Sequence, residues 1–310
     1  MDALKICLIS LEIGVGDEVI VPAHTFIATV TAVMQTGAKP VFADINSETL
    51  LIDHQEVTPL ITEKTKAIIP VHLYGIPADI EPIRKIASNH HLHLVEDYAQ
   101  SVGALYNGVK TGAWGVINGS SFYPVKNLGA LGDGGIITTN DESLQSFCRK
   151  FRNYGGSGKY RFEFAGLNSR LDELQAAILS VKLKHLDRWL DEKKRIAERY
   201  KNNLKEIPQV HLPHVDPVKQ PAWHIFPLVC SSRDGLKNYL AECGIDTMIH
   251  YPIPPFRQPV FNNLEIDPSK FPNSDRISNS ELSLPIYPGL TGDQSDYICE
   301  CILNYYKTNS

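Results

Sequence analysis

The chain has 310 residues, long enough for one large domain with a smaller one and a substantial buried core. Its 43% hydrophobic and 21% charged residues are ordinary for a soluble globular protein, and a formal charge of −5 without a concentrated Lys/Arg run argues against a nucleic-acid surface. No stretch approaches a membrane span and no charged-then-apolar leader is read, while six cysteines without zinc-site spacing or secreted-scaffold density predict reduced thiols and a cytoplasmic location.

The first predicted element is an amphipathic helix over Asp2–Leu11, with Gly14 and Gly16 just past its end. It lacks a preceding cap, so a missing upstream segment is expected. Short apolar runs then alternate with helical patterns. Strands are predicted over Glu18–Val21, Lys39–Ala43, Ala67–His72, His93–Glu96, Ser120–Tyr123 and Gly135–Thr139, with helices near 26–36, 79–90 and 141–153. This alternation predicts an α/β fold with a mostly parallel central sheet covered on both faces. From about residue 170, Leu171, Leu174, Ile178, Val181 and Leu186 keep helical spacing, and one long helix is expected to reach Leu204. The proline-rich remainder reads as a smaller C-terminal α+β domain. The expected division is a large domain over 1–190 and a small one over 191–310.

In sheets of this kind ligands collect beyond the carboxyl ends of the strands. Asp97 and Gln100 follow one such end and Lys126 another, so the two clusters are expected to meet at one edge. Lys126 lies between an apolar run and Gly129, Gly132, Gly134 and Gly135, which permit close approach of backbone to a ligand. A lysine able to form an imine, an acid able to pair with a pyridinium nitrogen and a serine able to hold a phosphate are the parts of a pyridoxal phosphate enzyme. Each residue also has a plainer reading. Asp97 can cap a helix, Gln100 can bond a backbone group, and Ser121 with Ser120 can be an unremarkable strand pair. Phe26 can stack on a ligand ring or merely pack. His72, Tyr123, His250 and Tyr251 are candidates for substrate contact. Asn168 and Arg170 precede a helix whose N-terminus favours anions. No set of side chains has metal-ligand spacing.

Five stretches carry a resemblance in order and spacing. They are Pro22-x-x-Thr-Phe26, Pro70-Val-His-Leu-Tyr-Gly75, Glu96-Asp-x-Ala-Gln100, Ser121-Phe-Tyr-Pro-x-Lys-Asn-Leu-Gly-Ala-Leu-Gly-Asp-x-Gly135 and Gly166-x-Asn-Ser-Arg-Leu-Asp-Glu-Leu-Gln-Ala176. Together they resemble the DegT/DnrJ/EryC1/StrS family of pyridoxal 5′-phosphate-dependent sugar aminotransferases, of the aspartate aminotransferase fold type I. The resemblance implies that Lys126 forms the cofactor imine, Asp97 pairs with the pyridinium, Gln100 contacts the phenolic oxygen and Phe26 stacks on the ring. It places Ser121 on the phosphate, with Asp2 and Ala3 in the phosphate loop. It also implies a homodimer in which Asn168 reaches the neighbouring subunit's cofactor. The form of the Lys126 motif is similar to the branch acting on dTDP-3-oxo-6-deoxyhexoses with L-glutamate as amino donor. Two alternatives within the resemblance are a keto-sugar dehydratase, in which histidine replaces the lysine, and a non-catalytic partner or sensor. The chain departs from the family at Tyr98, where a small residue is usual, and at its start, which lies downstream of the family's and implies an N-terminal truncation.

Overall fold

The computed structural model describes residues 1–308. Helix α1 (Asp2–Ser10) leads into β1 (Glu18–Pro22), α2 (Ile27–Met34), β2 (Lys39–Ala43), a short α3 (His54–Val57), β3 (Thr65–Ile68), α4 (Ile80–Asn89) and β4 (His93–Leu94). A hairpin of β5 (Leu105–Tyr106) and β6 (Val109–Lys110) precedes β7 (Ile117–Ser121), β8 (Gly135–Thr139) and α5 (Glu142–Phe151). After a small hairpin of β9 (Gly156–Gly158) and β10 (Arg161–Phe162) come α6 (Glu173–Leu183) and α7 (Leu186–Leu204). The remainder holds β11 (Val210–His211), β12 (Lys219–Gln220), β13 (Phe226–Cys230), α8 (Arg233–Glu242), α9 (Pro272–Ser280), β14 (Glu281–Leu284) and α10 (Gly292–Thr308).

Strands β2, β1, β3 and β4 pair in that order, all parallel. Single parallel bridges from Val71 to Asp97 and from Asp97 to Gly119 carry the ladder on to β7, which pairs antiparallel with β8. Residues along these strands alternate between two cores, as a pleat of period two requires. Val19, Val21, Ala67, Ile69, Val95 and Ile117 face Leu4, Cys7 and Leu8 of α1, whereas Ile20, Ile68 and Leu94 face Ile80, Ile83 and Ala87 of α4. Helix α1 lies directly on β7 because Gly119 has no Cβ; one added there would fall 2.9 Å from the Leu4 side chain. A third core joins α7, β13, β14 and α10 around Tyr200, Trp223, Phe226 and Ile302, and it takes in Leu50, Leu51 and Tyr74 from the first half.

Several predicted elements differ: the strand expected over Ser120–Tyr123 lies at Ile117–Ser121, and that over His93–Glu96 stops at Leu94. The strand expected over Ala67–His72 ends at Ile68; Pro70 follows, with no N–H to donate to a ladder. The long helix breaks at Lys184–His185 into α6 and α7. Their apolar faces have different destinations: Leu186, Ile196 and Tyr200 of α7 are buried, while Leu174, Val181 and Leu183 of α6 are exposed.

Glu96 ties the loop before β7 to the sheet. Its Oε2 accepts from His72 Nε2 at 2.9 Å and from Gly112 N–H at 2.8 Å. Oε1 accepts from Trp114 N–H at 2.6 Å and Gly115 N–H at 2.9 Å. His72 Nδ1 accepts the Ala78 N–H, so the proton of a neutral ring lies on Nε2 and is donated to Glu96. Burial opposes ionisation of Glu96, yet the hydrogen bonds from His72, Gly112 and Gly115 outweigh it and hold the carboxyl below its ordinary range. Glu96→Ala leaves four donors, those of His72 and Gly112 buried and those of Trp114 and Gly115 partly so, without an acceptor and is expected to destabilise the fold by about 3–5 kcal/mol in urea unfolding, the cost of breaking a buried charged contact. Because the folded carboxyl titrates lower than the unfolded one, this contribution is complete above the ordinary value of 4.5 and is lost as pH falls through the folded value.

Candidate active site

Asp97 stands in the ladder itself. Its N–H donates to the Pro70 carbonyl at 3.0 Å and its carbonyl accepts from His72 N–H at 3.1 Å, while the flanking Glu96 and Tyr98 bond Gly119 on the other side. The backbone is therefore fixed on both sides, and the side chain faces a large open cleft. Asp97 Oδ2 accepts the Thr29 hydroxyl at 2.7 Å and Oδ1 accepts the Ala99 N–H at 3.1 Å. Since Thr29 spends its proton on Asp97, the Thr25 hydroxyl 3.2 Å away must donate to Thr29. Thr29 lies on the first turn of α2, so that helix orients the carboxylate; its signal in the sequence was only an i, i+4 threonine pair after Pro22.

Lys126 lines the same cleft, in the turn after β7. Burial lowers its amine below the ordinary range, against the opposing charge of Asp97. A desolvated amine of this kind is unprotonated more often than a surface lysine and is the better nucleophile. The turn is anchored by its next residue: Asn127 donates through Nδ2 to the Ala222 carbonyl and accepts from buried Lys193 Nζ at 2.8 Å.

The remaining predicted residues distribute as follows. Gln100 lines the cleft, accepts the Tyr74 N–H at 2.6 Å and donates to the Tyr251 hydroxyl at 3.0 Å. Phe26, half exposed at the start of α2, has its ring centroid 5.5 Å from that of Tyr251. Of the serine pair, Ser120 is buried and donates to the Tyr98 carbonyl at 3.1 Å. Ser121 lines the cleft; its oxygen accepts the Tyr123 N–H, which leaves its own proton to donate. Asp2, Ala3, Asn168, Tyr123 and His250 line the cleft as well. His72 does not. It is fully buried with both ring nitrogens committed, to Glu96 and to Ala78, so the expectation that it contacts substrate is corrected: its role is to hold the loop before β7. Tyr98 is accommodated by Gly112, where an added Cβ would meet the tyrosine ring at 2.8 Å. His224, which also lines the cleft, has a buried Nδ1 without a hydrogen-bond partner among the described residues.

These groups suit pyridoxal 5′-phosphate. The N-terminus of α1 brings free N–H groups to one part of the cleft, and Ser121 adds a hydroxyl, a donor set for a phosphate. With that cofactor bound, Asp97 would face its ring nitrogen as the anion and Lys126 would be the amine.

A helix-covered, mostly parallel sheet with a lysine and an aspartate at its carboxyl edge is the architecture of a fold type I aminotransferase. A family model for the DegT/DnrJ/EryC1/StrS aminotransferase family matches residues 1–303, and the chain belongs to that family. It is 47% identical to the erythromycin biosynthesis sensory transduction protein EryC1 of Saccharopolyspora erythraea, over 96% of this chain and 81% of that one. It is 45% identical to the dTDP-3-amino-3,6-dideoxy-alpha-D-galactopyranose transaminase of Aneurinibacillus thermoaerophilus, over 98% of this chain and 83% of that one. The solved structure of S. venezuelae DesV superposes with a TM-score of 0.96 at 42% identity, covering 98% of this chain and 82% of that one. Members of the family are pyridoxal 5′-phosphate-dependent, and solved neighbours carry that cofactor or its amino form.

Borohydride reduction of the cofactor-loaded protein, followed by peptide mapping, is expected to place the pyridoxyl group on Lys126 alone. Lys193 is the control. It too is buried, and burial lowers its amine to about 8, but it does not line the cleft and should stay unlabelled.

Proposed function

We propose that this aminotransferase moves the amino group of L-glutamate to the keto carbon of a dTDP-3-oxo-6-deoxyhexose for amino-sugar biosynthesis. The observation that carries the reading is the convergence of Lys126 and a doubly bonded Asp97 on one cleft. The sugar class is supported by the Aneurinibacillus relative, whose name specifies a dTDP-linked 3-amino sugar. When bound, pyridoxal 5′-phosphate supplies an electron sink and carries the amino group between the two half-reactions. Asp97 holds a proton on the ring nitrogen, Phe26 covers a ring face, and Ser121 with the start of α1 holds the phosphate. Lys126 Nζ, made available by burial, would take the proton from the donor's Cα and pass it to the cofactor, and in the second half-reaction would move a proton the other way, from the cofactor to the sugar carbon. A dehydratase of this family has histidine in place of that lysine, and Lys126 disfavours it.

Incubation with glutamate and a panel of dTDP- and UDP-linked keto sugars tests the reading. The dTDP-3-oxo-6-deoxyhexose is expected to give an amino sugar and 2-oxoglutarate in equal amounts. Turnover confined to 4-keto or UDP-linked sugars would overturn the assigned substrate.

The working unit is a homodimer with the cleft at its interface. Phe26, Tyr123, Val125 and Leu183 line the cleft yet are about half or more exposed, an apolar rim that a second copy would cover. The exposed apolar face of α6 extends it. In such a dimer Asn168 serves the partner's cofactor. Mixing Lys126→Ala with Asn168→Ala protein is then expected to restore activity, because one site of each mixed dimer regains both groups. Activity no higher than either parent's, with subunit exchange shown separately, would place the whole site in one chain.

A further inference from the structure

His250, on the cleft wall, is backed by a fully buried carboxyl that the reaction above does not use. Its ring Nδ1 lies 2.8 Å from Ser283 Oγ, and that hydroxyl is in close hydrogen-bond contact with Glu281 Oε1. The other carboxyl oxygen, Oε2, accepts the His250 backbone N–H at 2.7 Å. Glu281 and Ser283 are two apart on β14 and so share a face, which lets one hydroxyl bridge carboxyl and imidazole. Among the described residues, none of the hydrogen bonds of His250 uses Nε2.

The serine has one proton. With an ionised carboxyl it must donate to Glu281, and its oxygen then accepts from His250 Nδ1–H. With a carboxylic acid it accepts from Glu281 and donates to Nδ1, and the ring proton moves to Nε2. We propose that Glu281, acting through Ser283, selects the tautomer of His250 and so decides whether Nε2 offers the cleft a hydrogen-bond donor or an acceptor. Glu281 and Ser283 are positioning residues; His250 is the group that meets an oxygen of the sugar.

Burial pushes Glu281 up to about 8, opposed by the hydrogen bonds from Ser283 and His250 and by the Arg233 charge. Burial also takes His250 down to about 4, helped by the charge of Lys126. Near neutral pH the ring is therefore uncharged, the carboxyl is protonated, and the cleft meets Nε2–H. Above about 8 it meets a lone pair instead. The other groups facing this pair are Arg233 of α8, which donates to the Glu281 carbonyl at 3.0 Å, and Tyr74 and His24, which bond the His250 carbonyl at 2.8 and 3.0 Å. Tyr251 adjoins in sequence, and Lys126 and His224 line the same cleft. Burial raises both tyrosines and lowers both other histidines, so these four stay neutral across the neutral range.

The test is the ring nitrogen signals of His250 in 15N-histidine-labelled holoenzyme, assigned by their absence in His250→Asn. The wild type is expected to pass from Nε2–H to Nδ1–H as pH rises through about 8. In Glu281→Gln the side-chain carbonyl keeps the His250 N–H and the amide donates to Ser283 at every pH, so Nε2–H should persist. The sugar KM of the wild type should rise roughly five- to tenfold over the same range, the size of one lost hydrogen bond, and stay flat in Glu281→Gln. A wild-type ring fixed in one tautomer, or a Glu281→Gln ring that titrates like the wild type, overturns the coupling. A flat wild-type KM beside a titrating ring overturns the sugar contact. That contact rests on the substrate reading above; the nitrogen signals need no substrate and are judged separately.

Discussion

Two adjacent carboxylates with opposite fates organise the molecule. Glu96 and Asp97 occupy consecutive positions where the ladder is held on both sides, by Pro70 and His72 on one and Gly119 on the other. A strand sends consecutive side chains to opposite faces. Glu96 goes inward and gathers His72 and the loop before β7 into a set of four hydrogen bonds. Asp97 goes to the cleft, where it meets Thr29. A one-residue slip of register would exchange them, leaving the loop without its acceptor and the cleft without a correctly placed anion. The geometry of the site is thus fixed by the same constraint that closes the sheet.

Lys126 depends on that closure at one remove. Strand β7 pairs with the Asp97 position through Gly119, and the turn carrying Lys126 begins two residues beyond Gly119's neighbour Ser120. Asn127 then ties the turn to Ala222 and to Lys193 of α7, so both halves of the chain set the position of the amine. The third core makes the same connection on a larger scale, with Leu50, Leu51 and Tyr74 packed among residues of α7, β13 and α10.

The sequence was most legible where chemistry and local composition coincide. Lys126 stands out through its glycines, and Asp97 and Gln100 through their position after an apolar run; all three line one cleft. The alternation of strands and helices marked the parallel sheet for the same reason, because each pattern is local. Contacts between distant segments were not legible. His72 has the strand-end position of a site residue, and only the folded chain shows Glu96, 24 residues away, and Ala78 taking both nitrogens. Glu281 reads as an ordinary charged residue before an apolar strand, and its burial follows from packing between α8, α9 and the His250 segment. The break between α6 and α7 was hidden because apolar spacing records that a face is covered without saying by what.

Burial of basic groups is the recurrent device of the cleft. It lowers Lys126, His224 and His250 there, and His24 just behind, each below its ordinary range. A cleft that must receive a phosphate can do so with cations, and Lys110, Arg149, Arg152 and Arg170 line this one. Backbone N–H groups at the start of α1 and the Ser121 hydroxyl attract an anion through dipoles, which no change of pH removes. Burial biases the Lys126 amine and the His224 and His250 imidazoles toward their neutral forms. Asp97 is then the charge that raises Lys126 against its burial, so under the function proposed above the spacing of that pair, set by the strand ladder, would tune the base as well as the ring it serves.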